Sequence, residues 1–278
     1  MNIIGIGGPG CKIAADLAKY PQYDTFFIDT KNTEKYKNFY KVKEQASHED
    51  YENNYKKLDF KNLTGETTIV LCGSGKISGI ILRVLEQLKH LKPNIIYVKS
   101  DLSMADDKAR TRDKIVFGIL QEYARCDLLS NFYIFSNLHV EATLENIPLS
   151  TYWQQINSVI SSTYNMLNYF QKTEPLLNSL AKETQTSKVL APGIVRYSDF
   201  SEKTFYDLQN PRMKKYFFGI SEKTLQEKKN LLTEIRDYVK KQMGEKCNAC
   251  FAIYSTTYEQ DYVYTLHYAS LLQEQNIS

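Results

Sequence analysis

The sequence has no apolar run long enough to cross a membrane and no large excess of either charge. Its 278 residues carry 35 basic and 32 acidic side chains, a formal net charge of +3. A membrane span needs about 20 consecutive apolar residues, and a nearly neutral chain presents no basic surface for nucleic acid. The first residues, MNIIGIGGPG, lack the basic region of a signal peptide. These absences predict a soluble, cytoplasmic protein with no nucleic-acid partner.

Cysteine is sparse, with five residues at scattered positions. An odd number of cysteines in a chain without an export signal indicates reduced thiols. Cys247 and Cys250 form a single C-x-x-C pair, but a structural zinc site needs a second pair of ligands. We therefore predict no metal site.

Apolar runs alternate with helical patterns through the first half of the chain. This alternation predicts an α/β fold, in which a parallel Rossmann-like sheet is covered by helices on both faces. Capping boxes at Ser103–Asp106 and Thr224–Glu227 predict the starts of two helices. The predicted strands of the first half are NIIGI, DTFFIDT, TTIVLCG, PNIIYVKSD and NFYIFSN.

Charge is absent from residues 146–171, although apolar residues recur there at helical spacing from Trp153 to Phe170. A surface helix would carry charged side chains on its outer face. The segment therefore predicts a long central helix enclosed on most sides. The chain after it is typical of a smaller α+β domain, so we predict one domain over 1–170 and a second over 171–278.

Glycine is also sparse, yet seven of the 12 glycines lie in two short turns that each follow a predicted strand. Glycine allows backbone N–H groups to approach an anion, and the helix that follows favours negative charge. The two turns therefore predict phosphate binding. They contain Gly5, Gly7, Gly8 and Gly10 in the first turn, and Gly73, Gly75 and Gly79 in the second.

The first turn alone fits the pattern G-x-G-x-x-G. Asp29 ends the next strand about 20 residues later, where an acid can bind a ribose hydroxyl. This pattern is typical of a dinucleotide-binding Rossmann unit, and it keeps an NAD-dependent oxidoreductase as an alternative. The dinucleotide-binding interpretation does not account for the glycines of the second turn.

Both turns and the long helix together resemble the tubulin/FtsZ superfamily. Gly5–Lys12 is similar to its first turn G-x-G-G-x-G-N-N, and Gly73–Gly79 is similar to its signature loop G-G-G-T-G-[ST]-G. Ser136-Asn137 is similar to the Pro-Asn that ends its fifth strand. Trp153–Ile160 is similar to Phe-x-x-x-Asn/Asp-x-Val-Leu in its central helix. The resemblance covers about residues 1–180.

The resemblance implies a cytoskeletal protein that binds GTP or GDP, with Mg²⁺ as an accompanying ion, and self-associates head to tail into filaments. It places an aromatic residue near guanine and an amide at the guanine edge. It also implies that each subunit completes the site of the next, with Asn178 and Glu183 as the hydrolytic residues. The nucleotide-binding residues implied are Gly7, Gly8, Gly10, Cys11, Lys12, Asp29, Gly73, Ser74, Gly75, Lys76, Ser78, Arg110, Trp153 and Asn157.

Several positions depart from the family pattern. Ser74, Lys76 and Ile77 replace Gly, Thr and Gly in the signature loop, and Lys12 replaces an amide that reads the base. Leu180 stands where the family has the first acid of its hydrolytic loop. We therefore expect GTP hydrolysis to be weak or lost.

Overall fold

The computed structural model describes residues 1–60, 63–144, 146–181 and 187–273, which form one continuous sheet with helices on both faces. The strands are β1 (Asn2–Ile6), β2 (Asp24–Asp29), β3 (Phe39–Lys41), β4 (Thr67–Cys72), β5 (Asn94–Lys99), β6 (Phe132–Ser136), β7 (Val189–Arg196), β8 (Ser201–Thr204), β9 (Met213–Ser221), β10 (Asn248–Thr256) and β11 (Tyr262–Ala269). The α-helices are α1 (Gly7–Leu17), α2 (His48–Asn53), α3 (Ile81–Leu88), α4 (Asp107–Arg125), α5 (Asn137–Glu141), α6 (Tyr152–Lys172), α7 (Glu222–Glu227) and α8 (Leu231–Lys241).

The strand order is β10-β9-β11-β7-β6-β5-β4-β1-β2-β3, with β8 paired to β7. From β3 to β7 all neighbouring strands are parallel. The chain moves from β1 outward to β3 and then returns to the other side of β1 to form β4. This reversal makes the β1–β4 boundary a topological switch point, where open parallel sheets bind ligands beyond the carboxyl ends of the strands.

Apolar residues cover both faces of this sheet. On one face α1 and α6 pack through residues such as Leu17 and Ile160. On the other face α3 and α4 pack through residues such as Val84 and Leu120. Because each central strand is buried on both sides, it is a continuous apolar run rather than an alternating one. The predicted fold class is confirmed.

The uncharged helix α6 has 21 residues and is therefore about 31 Å long. Ten of its residues are buried, including the polar Asn157, Asn165 and Asn168, and only six are exposed, in keeping with the absence of charge. Its first turns lie at the carboxyl edge of the sheet. Its end reaches the amino edge, where Lys172 pairs with Glu66 just before β4. The helix therefore spans the sheet from edge to edge.

The second half adds mainly β-structure to the same sheet. β11 is antiparallel to both β7 and β9, whereas β10 is parallel to β9. Phe170, at the end of α6, packs on aromatic rings of these strands, including Phe217 and Tyr254. The end of the central helix is thereby part of the core beneath the added strands.

Both predicted capping boxes were wrong in detail. Asp106 itself caps α4, because its carboxylate accepts from the N–H of Ala109 at 2.6 Å. Ser221 caps α7, accepting from the N–H of Thr224 at 3.2 Å. The segment predicted as one helix from Thr224 forms the two helices α7 and α8. Among the described residues, no helix has the length and apolarity to span a bilayer.

Candidate functional site: a pocket at the carboxyl edge of the sheet

A cavity of about 270 Å³ opens at the carboxyl edge beside the switch point. Its volume is near the lower end of the range of small-molecule pockets, roughly 300–1,000 Å³. It brings together residues from α1, α6 and the ends of three parallel strands. The lining residues are Gly8, Pro9, Lys12, Cys72, Val98, Ser100, Asn137, Trp153 and Asn157.

Four of the predicted nucleotide-binding residues line this cavity: Gly8, Lys12, Trp153 and Asn157. Trp153 is 58% exposed, and its ring packs edge-to-face on Tyr152 with centroids 5.0 Å apart. Asn157 lies one helical turn further along α6 and is buried. The pocket therefore combines a flat aromatic surface, an amide and an ammonium group.

Asn137 is a pocket residue that the predicted site did not include. It is 7% exposed, and its Oδ1 has no hydrogen-bond partner among the described residues. A buried polar atom without a partner is costly and rare in native proteins. A ligand that donates to this amide would remove that cost. The sequence signal for it was the Ser136-Asn137 pair at the end of the fifth strand.

The glycines of the first turn differ in what their surroundings require. A Cβ on Gly10 would lie 2.3 Å from the carbonyl oxygen of Val70, and a Cβ on Gly5 would lie 2.5 Å from that of Gly10. These two glycines let α1 pack closely on β1 and β4. Gly7 has a φ of +71°. At Gly8, by contrast, a Cβ would meet no atom within 4 Å.

The second turn shows the same division. A Cβ on Gly73 would lie 1.8 Å from the Tyr97 hydroxyl oxygen, and one on Gly79 would lie 2.1 Å from the carbonyl oxygen of His48. At Gly75 the nearest such atom is 4.0 Å away. Packing therefore requires most of the glycines in the two turns, whereas Gly8 and Gly75 border open space.

The serine side chains of the second turn form hydrogen bonds within the turn or with neighbouring residues. The Ser78 hydroxyl donates to the carbonyl oxygens of Gly73 and Gly75 at 2.8 and 2.7 Å, so it closes the turn. The Ser74 hydroxyl contacts Cys72 Sγ at 3.2 Å and the Ser100 hydroxyl at 3.3 Å. Cys72 and Ser100, which sequence reasoning missed, also line the pocket. Lys76 is exposed at the start of a 3₁₀ turn.

The other ten predicted nucleotide-binding residues do not line the pocket. Three of them, Cys11, Asp29 and Arg110, have partners elsewhere in the protein. The Cys11 side chain is buried against the carbonyl oxygen of Gly5 at 3.4 Å, and burial, followed by the Asp29 carboxylate, raises the pKa of its thiol to about 12. Asp29 accepts from the N–H of Thr30 at 2.7 Å. The Arg110 guanidinium donates to carbonyl oxygens in the loop before α4, at Leu102 and Ser103.

Asn178 lies far from this pocket. It lines a different cavity, formed with the end of α8 and the first half of β10, and Leu177 beside it is bridged to Ile253 of β10. β10 is the sixth strand from β4 in the sheet, which is about 29 Å at about 4.8 Å per strand. Asn178 therefore cannot reach the pocket within the same chain. Glu183 lies outside the described residues.

In the described part of the chain, no group of three or more His, Cys, Asp or Glu side chains has the arrangement to hold a metal ion. Mg²⁺ at nucleotide sites is held largely by water molecules and substrate phosphates, with one or two carboxylates.

Neither a family model nor a curated protein matches the chain. Solved structures do match its fold. FtsZ from M. jannaschii has a TM-score of 0.69 and 12% identity, covering 96% of this chain and 87% of its own. The GDP-form protofilament of TubZ from Bacillus thuringiensis serovar israelensis has a TM-score of 0.69 and 14% identity, covering 96% and 86%. The GTPγS-bound protofilament of CetZ2 from Haloferax volcanii has a TM-score of 0.68 and 11% identity, covering 96% and 92%.

Proposed function

We propose that this chain, which has the tubulin/FtsZ fold, binds a guanine nucleotide at the carboxyl edge of its sheet and assembles head to tail into filaments. The observation that carries the proposal is the convergence of Lys12, Asn137, Trp153 and Asn157 on one pocket at the switch point. These residues come from three separate parts of the chain. The NAD-dependent oxidoreductase alternative gains no support from the fold likeness.

The pocket chemistry suits a base and a sugar. The exposed Trp153 ring offers a stacking surface, and the Asn137 and Asn157 amides offer both donors and acceptors to the edge of a purine. The unpartnered Oδ1 of Asn137 is an acceptor that the N–H groups of guanine could satisfy. Adenine presents a different set of donors, so we propose that the two amides select guanine.

The phosphates would extend from this pocket over the two glycine turns. Gly8 and Gly75 border open space there, and Lys12 can pair with a phosphate oxygen. GTP would supply the phosphoanhydride bond, and Mg²⁺ would neutralise part of its charge. The role of this chain's residues is to bind and orient the phosphates.

Two large apolar side chains are exposed at the same edge of the sheet. Met104, in the loop that follows β5, is 96% exposed, and Leu149, just before α6, is 91% exposed. Exposed apolar residues of this size can form part of a contact surface. A subunit stacked on this edge would cover them and could bring Asn178 and Glu183, which we propose as its hydrolytic residues, to the nucleotide. A contact of this heterologous kind that does not close produces a filament.

Calorimetric titration of the purified protein with GTP, GDP, ATP and NADH tests the nucleotide proposal. We expect GTP and GDP to bind and the other two to bind at least tenfold more weakly. Asn157→Ala should weaken GTP binding about tenfold by removing a buried hydrogen bond. Tyr169→Ala, on the exposed face near the far end of the same helix, is the matched control and should bind as the wild type does. Preference for NADH would refute the proposal in favour of the oxidoreductase.

Phosphate release under assembly conditions tests the hydrolytic part. Since Leu180 replaces an acid, we expect slow turnover that rises with protein concentration, because each site is completed by a neighbour. Asn178→Ala should reduce that turnover without changing the affinity of the unassembled subunit for GTP. A turnover per subunit that does not depend on protein concentration would contradict the shared site.

A further inference from the structure

Three successive carbonyl groups of the second glycine turn, those of Gly73, Ser74 and Gly75, accept hydrogen bonds from within the protein. Ser78, within the turn, binds the carbonyl oxygens of Gly73 and Gly75. The carbonyl oxygen of Ser74 accepts instead from Nε of Arg112, on α4, at 2.8 Å. The orientation of this middle peptide therefore depends on a side chain from a distant element.

That hydrogen bond also fixes the direction of an N–H group. In a planar trans peptide the C=O of one residue and the N–H of the next point in opposite directions. With the Ser74 oxygen directed at Arg112, the N–H of Gly75 is directed away from it. In the described part of the chain this N–H has no acceptor, and the space beside Gly75 is open.

The helix that carries Arg112 is anchored beneath the same turn. The neighbouring Asp113 is fully buried. Its carboxylate accepts from the Tyr97 hydroxyl at 2.6 Å and from Lys99 Nζ at 3.1 Å. The Tyr97 hydroxyl in turn lies directly against Gly73. Strand β5, helix α4 and the turn are therefore locked in one register, which holds the Arg112 guanidinium at a fixed position.

Without this bond the Ser74–Gly75 peptide could rotate, because glycine at position 75 tolerates most backbone conformations. Rotation would turn the Ser74 carbonyl oxygen toward the region where a phosphate binds, and two oxygen atoms carrying negative charge repel each other.

We propose that Arg112 is a positioning residue for phosphate binding, which holds the N–H of Gly75 toward the nucleotide phosphates. This inference rests on the proposed nucleotide site. Arg112 acts through the peptide rather than as a phosphate ligand. The Nε–H geometry therefore matters more than the positive charge, and lysine cannot reproduce it.

Affinities measured by calorimetry for GTP, guanosine and inorganic tripolyphosphate test this role. Arg112→Lys should weaken GTP and tripolyphosphate about tenfold, the effect of losing one charge-assisted hydrogen bond, and leave guanosine unchanged. Arg125→Lys, at the other end of α4, is the control and should match the wild type for all three. Wild-type affinity of Arg112→Lys for tripolyphosphate would overturn the inference, as would an equal loss for guanosine.

A spectroscopic measurement keeps the test independent of the stability of the variant. Selective ¹⁵N-glycine labelling gives at most 12 glycine amide signals, and Gly75→Ala identifies that of Gly75. Tripolyphosphate should shift this signal in the wild type, and Arg112→Gln should reduce the shift. A Gly75 signal that tripolyphosphate leaves unmoved in the wild type would overturn the inference.

The outcomes separate this inference from the proposed function. A wild type that binds tripolyphosphate and ATP but does not prefer guanine refutes the guanine site. The tripolyphosphate affinity of Arg112→Lys then still decides the role of Arg112. A wild type that binds GTP with an unaffected Arg112→Lys refutes only the role of Arg112. A wild type that binds no polyphosphate refutes both.

Discussion

At the scale of single residues, the glycines of the two turns divide into those that the fold requires and those that it does not. Gly73 and Gly75 are two positions apart in one turn. Only Gly73 is in van der Waals conflict with a neighbour, the Tyr97 hydroxyl, if it gains a side chain. Glycine enrichment alone therefore does not identify a phosphate site, because close packing explains most of it.

Gly73→Ala should destabilise the protein by about 2 kcal/mol or more, since overpacking a buried site costs roughly 1–3 kcal/mol. Gly75→Ala should change stability by less than about 0.5 kcal/mol but should weaken GTP binding, because the methyl group would enter the open space beside the turn. Urea unfolding of the two variants, compared with their GTP affinities, measures this separation. Equal destabilisation by both substitutions would contradict it.

A second residue-scale feature is the partly buried carboxylate of Glu202. Its Oε1 lies 2.6 Å from His267 Nε2, and its Oε2 accepts from the Tyr216 and Tyr238 hydroxyls. Burial acts to raise the pKa of Glu202, but the hydrogen bond and charge of His267, with smaller contributions from neighbours, leave that pKa below its ordinary value of 4.5. The folded protein therefore favours the ionised form.

Because the pKa is depressed, the stability that Glu202 provides is fully present above pH 4.5 and is lost as the pH falls through the lower, folded-state value. Glu202→Gln should lower the free energy of unfolding by about 2 kcal/mol at pH 7, the typical contribution of hydrogen bonds to a charged group. The difference from the wild type should shrink at pH 3.5. Urea unfolding at both pH values measures it, and a constant difference would refute the assignment.

At the scale of elements, α6 joins the two edges of the sheet through buried polar contacts. Its Tyr164 hydroxyl is bonded to the Thr68 hydroxyl of β4 at 2.7 Å, and burial raises the pKa of Tyr164 well above its ordinary value. Tyr164→Phe should cost about 1–2 kcal/mol, because it removes a buried hydrogen bond and leaves the Thr68 hydroxyl with only the long contact from Asn94 Nδ2 at 3.4 Å. Tyr169→Phe removes an exposed hydroxyl from the same helix and should cost almost nothing. Thermal unfolding of the pair measures the difference, and equal midpoints would contradict the contact.

The enclosure of α6 could be predicted because a run without charge is a property of the sequence itself. Which of Arg110 and Arg112 faces the second turn could not be predicted from the sequence. Two residues apart on a helix differ by about 200° in direction, so one of them faces the second turn and the other faces the preceding loop. The register that decides this is set by Asp113 packing against Tyr97 and Lys99, which are close only in the folded chain.

The pocket was only partly predictable for a similar reason. Gly8, Lys12, Trp153 and Asn157 belong to local patterns that the family resemblance could identify. Asn137 was recognisable only as the end of a strand, and its unpaired oxygen depends on the neighbours that surround it in three dimensions. The division of the chain into 1–170 and 171–278 stays a prediction.

At the scale of the whole molecule, the proposed head-to-tail contact uses two different surfaces of each subunit. We therefore predict that one surface can be disrupted while the other still binds a neighbouring subunit. Met104→Glu combined with Leu149→Glu places charge on the pocket edge and should abolish sedimentation of assembled protein while GTP binding persists. At substoichiometric amounts the variant should shorten wild-type filaments, because its opposite end can still join them. Ile115→Glu, on the exposed face of α4, is the control. Normal sedimentation of the double variant would refute this edge as the contact.

The two borders of the sheet have a consequence for the direction in which such a polymer can grow. One border strand, β3, has three residues, and the other, β10, is bonded at Ile253 by the N–H groups of Leu176 and Leu177. Short or covered border strands resist side-by-side strand addition. Strand pairing at these borders is therefore disfavoured. We expect the proposed filament to lengthen through the faces at which the strands begin and end.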